Sequence, residues 1–205
     1  VSEGRTLVLL RHGRTPWNHS GRIQGHADVE LDDHGVAQAA RTAPVLAALQ
    51  PALIWSSDLL RARLTAAPLA EACGLPVTTD ARLREFGFGP YEGLTHAALG
   101  ASDPASHAAM RRGDYDQVTH AEPTDVVRAR MLAVLTDLRD ALSPGETGIA
   151  VSHGAAVRLA TAAVLGWPDE QFRTLRGLDN CGWVVLHEHP ADGVLRLAAY
   201  NRTVS

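Results

Sequence analysis

Lysine is absent from the 205 residues, so all nineteen basic side chains are arginine. That absence removes Schiff-base chemistry, a lysine-anchored pyridoxal phosphate and the lysine of a Walker A loop. Any phosphate handled here has to be held by arginine and histidine. Cysteine is nearly as scarce. Cys73 and Cys181 fit neither a metal nor a redox spacing and read as free thiols of a reducing compartment, which points to the cytoplasm. No apolar run reaches the length of a membrane span. The net charge of −4 supplies no basic stripe, which argues against nucleic-acid and membrane partners. The opening VSEGRT carries no basic-then-apolar leader, and Val1 with no methionine before it hints at residues missing there.

What is present is an alternation of short apolar runs and helical segments. The length suits one domain, 1–205, with a full core. Strands are expected at 5–10, 52–57, 76–79 and 147–154, with two more in GWVVLH and VLRLAAY near the end. Helices are expected at 35–50, where Pro44 either kinks the helix or moves its start, and at 59–74, ended by Gly74. A further helix puts Val127, Met131, Val134, Leu135, Leu138 and Leu142 on one face, and AAVRLATAAVLG forms the next. Strands alternating with helices predict an α/β fold, a three-layer α/β/α sandwich on a mostly parallel central sheet. The glycine-rich stretch 80–122 reads as irregular and as a lid or specificity region.

Two of the apolar strands run into polar punctuation, Arg11-His12-Gly13 and Ser152-His153-Gly154. A third ends in Ser56-Ser57-Asp58 and feeds a helix whose first turn holds Arg61. In open α/β sheets ligands bind outside the carboxyl ends of the strands, so neighbouring strands would bring both histidines to one crevice. Two arginines and two histidines converging there suit a phosphoryl group, because guanidinium forks bind its oxygens and stabilise the charge spreading over them in transfer.

LVLLRHGRTPWN, GRIQGHADVELDDHGVAQA, SSDLLRARLTA, LREFGFGPYEG and VSHGAAVR, in that order, resemble the successive signatures of the histidine phosphatase superfamily, the phosphoglycerate-mutase-like proteins. The likeness runs over most of the chain and is to the phosphatase branch. It implies that His12 takes the phosphoryl group, that Arg11, Arg61 and His153 clamp its oxygens with Asn18 and Gln24 assisting, and that Glu85 protonates the leaving oxygen and then activates water. It implies no metal and no cofactor. Leu64 stands where the family often has Gln, Ala155 where it has a second Gly, and Ala121-Glu122-Pro123 where it has Gly-Glu-Ser. The first two departures are expected to lie away from phosphorus, and the third leaves that stretch of the rim open.

Plainer readings stand beside these. His19, His26, His34, His96, His107 and His120 are expected to be solvated. His187 and His189 alternate on a strand and could form half a metal site, with no third ligand in view. Glu85, flanked by Arg82 and Arg84, would by itself read as a surface ion pair. Trp17 is expected to pack in the pocket wall. Arg111 and Arg112 read as a solvated pair, or as a clamp for a substrate carboxylate.

The reaction class then follows. The expected activity is that of a phosphomonoesterase acting on a small phosphorylated metabolite, such as a sugar or glycerate phosphate. The first rival is a cofactor-dependent phosphoglycerate mutase, which has to keep its phosphoenzyme dry; Tyr115 here is followed almost directly by QVTHAEPTD, and the chain stops soon after its last strand. The second rival is a non-catalytic phospho-ligand binder, against which intact His12 and Glu85 count. A homodimer is left open.

Overall fold

A computed structural model describes residues 4–204, so the leader reading falls partly on residues outside it. Leu7, Val8, Leu9 and Leu10 are at most 1% exposed, which places β1 (Thr6–Arg11) inside the sheet with both faces covered. Burying each of these side chains contributes about 1.5–3 kcal/mol relative to leaving it in water. With β2 (Leu53–Ser56), β3 (Val77–Thr79), β4 (Thr147–Ser152), β5 (Trp183–Glu188) and β6 (Leu195–Arg202), the spatial order is β3-β2-β4-β1-β5-β6. β3, β2, β4 and β1 run parallel, and β5 is antiparallel to both β1 and β6.

The two-residue period of β1 splits the core. Leu7 and Leu9 pack in the cluster that includes Val127, Met131, Val157 and Ala160 of α6 (Thr124–Asp140) and α7 (Gly154–Val164). Val8 and Leu10 pack with Ala43 and Leu46 of α2 (Asp33–Ala47) and Ala62, Ala66 and Leu69 of α3 (Leu60–Cys73). Helices thus cover both faces, giving the expected three layers. Asp32 caps α2 by accepting from the Gly35 amide at 2.8 Å, and Pro44 lies within the last turn without ending the helix. The short α1 (Pro16–His19) follows β1, with Thr15 and Asn18 forming a capping box.

The stretch read as irregular holds two helices, α4 (His96–Ser102) and α5 (Pro104–Arg112). Its glycines mislead because their surroundings are helix signals. Thr95 and Asp103 accept from the Ala98 and Ser106 amides as N-caps, and Gly113, at φ +73°, terminates α5.

What positions the site is the β1–β4 pairing. Arg11 lies opposite Ser152, and the His12 amide donates to the Ser152 carbonyl at 3.0 Å. The residues after both strands therefore leave the sheet side by side.

Candidate active site

The His12 and His153 rings stand 5.2 Å apart between centroids, as neighbouring strand ends require. Nδ1 of His12 lies 2.7 Å from the Gly13 carbonyl oxygen. A carbonyl only accepts, so Nδ1 carries the proton and Nε2 keeps its lone pair. Burial, then the charges of Arg61 and Arg11, push the His12 pKa well below that of a free imidazole. The ring is therefore neutral and nucleophilic at physiological pH. Gly13 is required by its neighbour, since a Cβ there would meet the Gly35 carbonyl oxygen of α2 at 2.7 Å.

Arg61 is 1% exposed, and each of its nitrogens has one partner, Nε donating to Nδ1 of His153 at 3.2 Å and Nη1 and Nη2 to the Ala27 and Gly25 carbonyls at 2.7 Å each, which leaves one N–H on each Nη for a ligand. Burial lowers its pKa to about 10. Accepting at Nδ1 forces His153 to carry its proton on Nε2, which donates to Ser57 Oγ at 2.9 Å. His153 is fully buried and does not line the cavity described below, so here it stands behind Arg61 and His12. Arg11 donates from Nη1 to the Leu178 carbonyl, while its Nε is buried without a partner.

A cavity of about 290 Å³ opens at these strand ends, walled by Arg11, His12, Asn18, Gln24, Arg61 and Glu85 among others. The amide oxygens of Asn18 and Gln24 lie 3.1 and 3.0 Å from the Thr15 hydroxyl, and Asn180 Nδ2 donates to Asn18 at 3.2 Å. With both oxygens engaged, the amide N–H groups are left for a ligand. The loop holding Gln24 is tied to α3 by Arg61 and by Asp28, which accepts from the Leu60 amide at 2.6 Å.

Glu85 forms no ion pair with its neighbours. Arg82 pairs with Asp80 and Asp137, and Arg84 with Asp58. The Glu85 carboxylate instead accepts from the first amides of α7, Ala156 at 2.8 Å and Ala155 at 3.0 Å. Its carbonyl oxygen is held by Arg130 Nη2 and His26 Nε2, both at 2.8 Å. Arg130 also donates to the Arg84 carbonyl at 2.6 Å and, as a fork, to Glu122 at 2.9 and 2.8 Å. This settles the stretch Ala121-Glu122-Pro123, whose glutamate anchors the arginine behind Glu85.

Several expectations change. His26 is bonded to Glu85 rather than solvated, while His96 is exposed as expected but also lines the cavity, with its pKa lowered by desolvation and by His107 and Arg111. Ala155, expected away from the reaction, lines the cavity and holds Glu85. Trp17 lies against Gly93 and is not in the wall. Arg111 and Arg112 are exposed on α5 and outside the cavity, whereas Arg158, quoted only as the end of a motif, lines it. His187 bonds Thr6 Oγ1 at 2.9 Å and His189 faces Asp192 at 3.5 Å. No group of three metal-ligating side chains occurs among the described residues, and no described helix is long and apolar enough to cross a membrane. Arg130 and Asp28 escaped sequence reading because each acts across the fold on a backbone group.

A profile of the histidine phosphatase superfamily (branch 1) matches residues 7–201. The chain is 39% identical over 197 residues to the glucosyl-3-phosphoglycerate phosphatase of Mycolicibacterium vanbaalenii, covering 92% of this chain and 87% of the relative. It is 37% identical over 176 residues to a probable phosphoglycerate mutase of Klebsiella pneumoniae, covering 85% and 81%. Among solved structures, a mycobacterial glucosyl-3-phosphoglycerate phosphatase in complex with VO3 superposes with a TM-score of 0.90 at 37% identity, over 97% of this chain and all of that one.

Proposed function

The chain belongs to the histidine phosphatase superfamily, and from that premise we propose that it hydrolyses a small phosphomonoester, a sugar or glycerate phosphate such as glucosyl-3-phosphoglycerate, through a phosphohistidine at His12. The observation that carries this reading is the His12 tautomer: Nδ1 is committed to the Gly13 carbonyl, so the bare Nε2 is available beside Arg11 and Arg61.

Nε2 attacks phosphorus while the ester P–O bond breaks. Glu85 delivers its proton to the departing alkoxide. Glu85, now a carboxylate, then takes a proton from water as that water attacks the phosphohistidine, releasing phosphate and restoring neutral His12. Arg11 and Arg61 hold the charge that develops on the phosphoryl oxygens, with Asn18 and Gln24 donating from their amides and His153 keeping Arg61 in place. This chemistry calls for no metal and no cofactor.

We read the chain as one catalytic domain in which residues 80–122 choose the substrate; Glu85, Phe88, His96, Met110 and Tyr115 from that region line the cavity. A cytoplasmic setting agrees with the two unpaired cysteines. The mutase reading has a relative of similar identity in its favour. Against it stands the short connection from α5 to α6, Gly113 to Pro123, which leaves little chain to seal the cavity from water.

Rapid quench with labelled substrate tests the proposal. A base-stable, acid-labile adduct is expected, lost together with turnover in His12→Ala, while His153→Ala retains weak activity. With 3-phosphoglycerate the product should be free phosphate. An adduct that persists in His12→Ala would overturn the assignment, and rapid formation of 2-phosphoglycerate primed by the 2,3-bisphosphate would make the protein a mutase.

A further inference from the structure

Arg158 sits on α7 and lines the same cavity as His12. Its guanidinium carbon lies 5.4 Å from the centroid of the Phe172 ring, and its Nε is buried with no hydrogen-bond partner. No ion pair to Arg158 exists among the described residues. Asp114, on the segment that follows α5, is already paired with Arg173 at 2.9 Å. Arg11 shares the unpartnered Nε but donates from Nη1 to the Leu178 carbonyl beside His12, whereas Arg61 and Arg130 are engaged with carbonyls, a histidine and a carboxylate. A half-buried cation left without an anion is costly unless something else supplies one.

We propose that Arg158 is a specificity-determining residue that binds a carboxylate carried by the substrate beside its phosphate ester. This rests on the phosphatase reading above and names the substrate class, a phosphorylated hydroxy acid. Charge counting leads to the same class. Arg11, Arg61 and Arg158 are the guanidiniums in the cavity wall, and Glu85 is its carboxylate. When Glu85 carries the proton it will donate and a phosphoryl dianion is bound, one positive charge is left over. One carboxylate balances it, and a planar pair of oxygens matches the edge of a guanidinium. The cation–π contact with Phe172 helps hold the side chain before the ligand arrives, which lowers the ordering cost of binding. The role foreseen for Arg111 and Arg112 thus passes to an arginine inside the cavity.

The test compares 3-phosphoglycerate with glycerol 3-phosphate, which differ by a carboxylate in place of a hydroxymethyl group. Wild-type enzyme should favour the acid by about 10–100-fold in kcat/KM, the range of a charge-assisted hydrogen bond. Arg158→Met keeps an apolar stem on Phe172 and should reduce that preference to under about threefold, chiefly through KM for the acid; Arg158→Lys should recover part of it. Calorimetry with non-hydrolysable phosphonate analogues of both compounds gives the same comparison without turnover. Analogue selectivity that depends on Arg158, with no phosphate release from either ester, would sink the phosphatase reading and leave this one standing. Turnover without preference for the acid, or equal losses on both substrates in Arg158→Met, would overturn the carboxylate assignment.

Discussion

The guanidinium of Arg130 reaches from α6 to the carbonyl oxygen of Glu85, 2.8 Å away. The group proposed to move the proton is thus held through its own backbone, while its carboxylate is held separately by the first amides of α7. Two elements distant in sequence fix one side chain from both ends.

Arg130→Met should therefore act through Glu85. Removing a fork that is 15% exposed, and stranding Glu122 at 18%, should cost about 2–3 kcal/mol of stability. A purely structural role would lower the rates on all substrates alike. A positioning role predicts a larger fall in kcat for glycerol 3-phosphate than for p-nitrophenyl phosphate, because only the alkoxide needs a proton. Steady-state kinetics on the two esters, beside urea melts, separates these outcomes.

The same logic applied directly to Glu85 gives a sharper contrast. Glu85→Gln should slow phosphorylation by an alkyl phosphate about 10²–10⁴-fold, the usual range for general acid–base catalysis. The first step with p-nitrophenyl phosphate should suffer much less. Since the variant also lacks the base for the second step, stopped flow should record a burst of nitrophenolate followed by a stall. Small, equal losses on both esters would remove Glu85 from the mechanism.

Stability should depend on pH through the paired histidines. His12 and His153 are 3% and 0% exposed, and burial followed by the charge of Arg61 lowers both pKa values well below 6.5. The unfolded chain therefore binds protons below about pH 6.5 that the folded chain refuses. Stability is full above that pH and falls as the solution is acidified through it, at up to about 1.4 kcal/mol per pH unit for each histidine. Urea melts from pH 7.5 to 5 should show this slope, and His153→Asn should flatten it. An unchanged slope would mean the histidines are not held neutral.

Phosphate release should survive exhaustive dialysis against a chelator. The positive charge of the cavity comes from guanidiniums, and Glu85, its carboxylate, is occupied by backbone amides. Loss of activity restored by magnesium or zinc would contradict a histidine nucleophile working without a metal.

Much of this architecture was legible in local pattern. Apolar runs at 7–10 and 148–151 marked strands, and their Arg-His-Gly and Ser-His-Gly endings marked where a ligand could sit. Lack of lysine already assigned phosphate handling to arginine and histidine. Those signals are short-range, carried by side-chain periodicity and by neighbours along the chain. The helices α4 and α5 were missed because glycine count outweighed the Thr95 and Asp103 caps. What only tertiary structure decided is which polar groups meet. Glu85 between two arginines has the sequence of a surface pair, yet those arginines turn to Asp58, Asp80 and Asp137 while the amides of a helix seventy residues on receive its carboxylate. Arg111 and Arg158 are alike as residues, but packing leaves one in water and seats the other on Phe172 within the cavity. A hydrogen bond or an ion pair is set by where two backbones are brought by the burial of apolar surface elsewhere, and no local pattern encodes that.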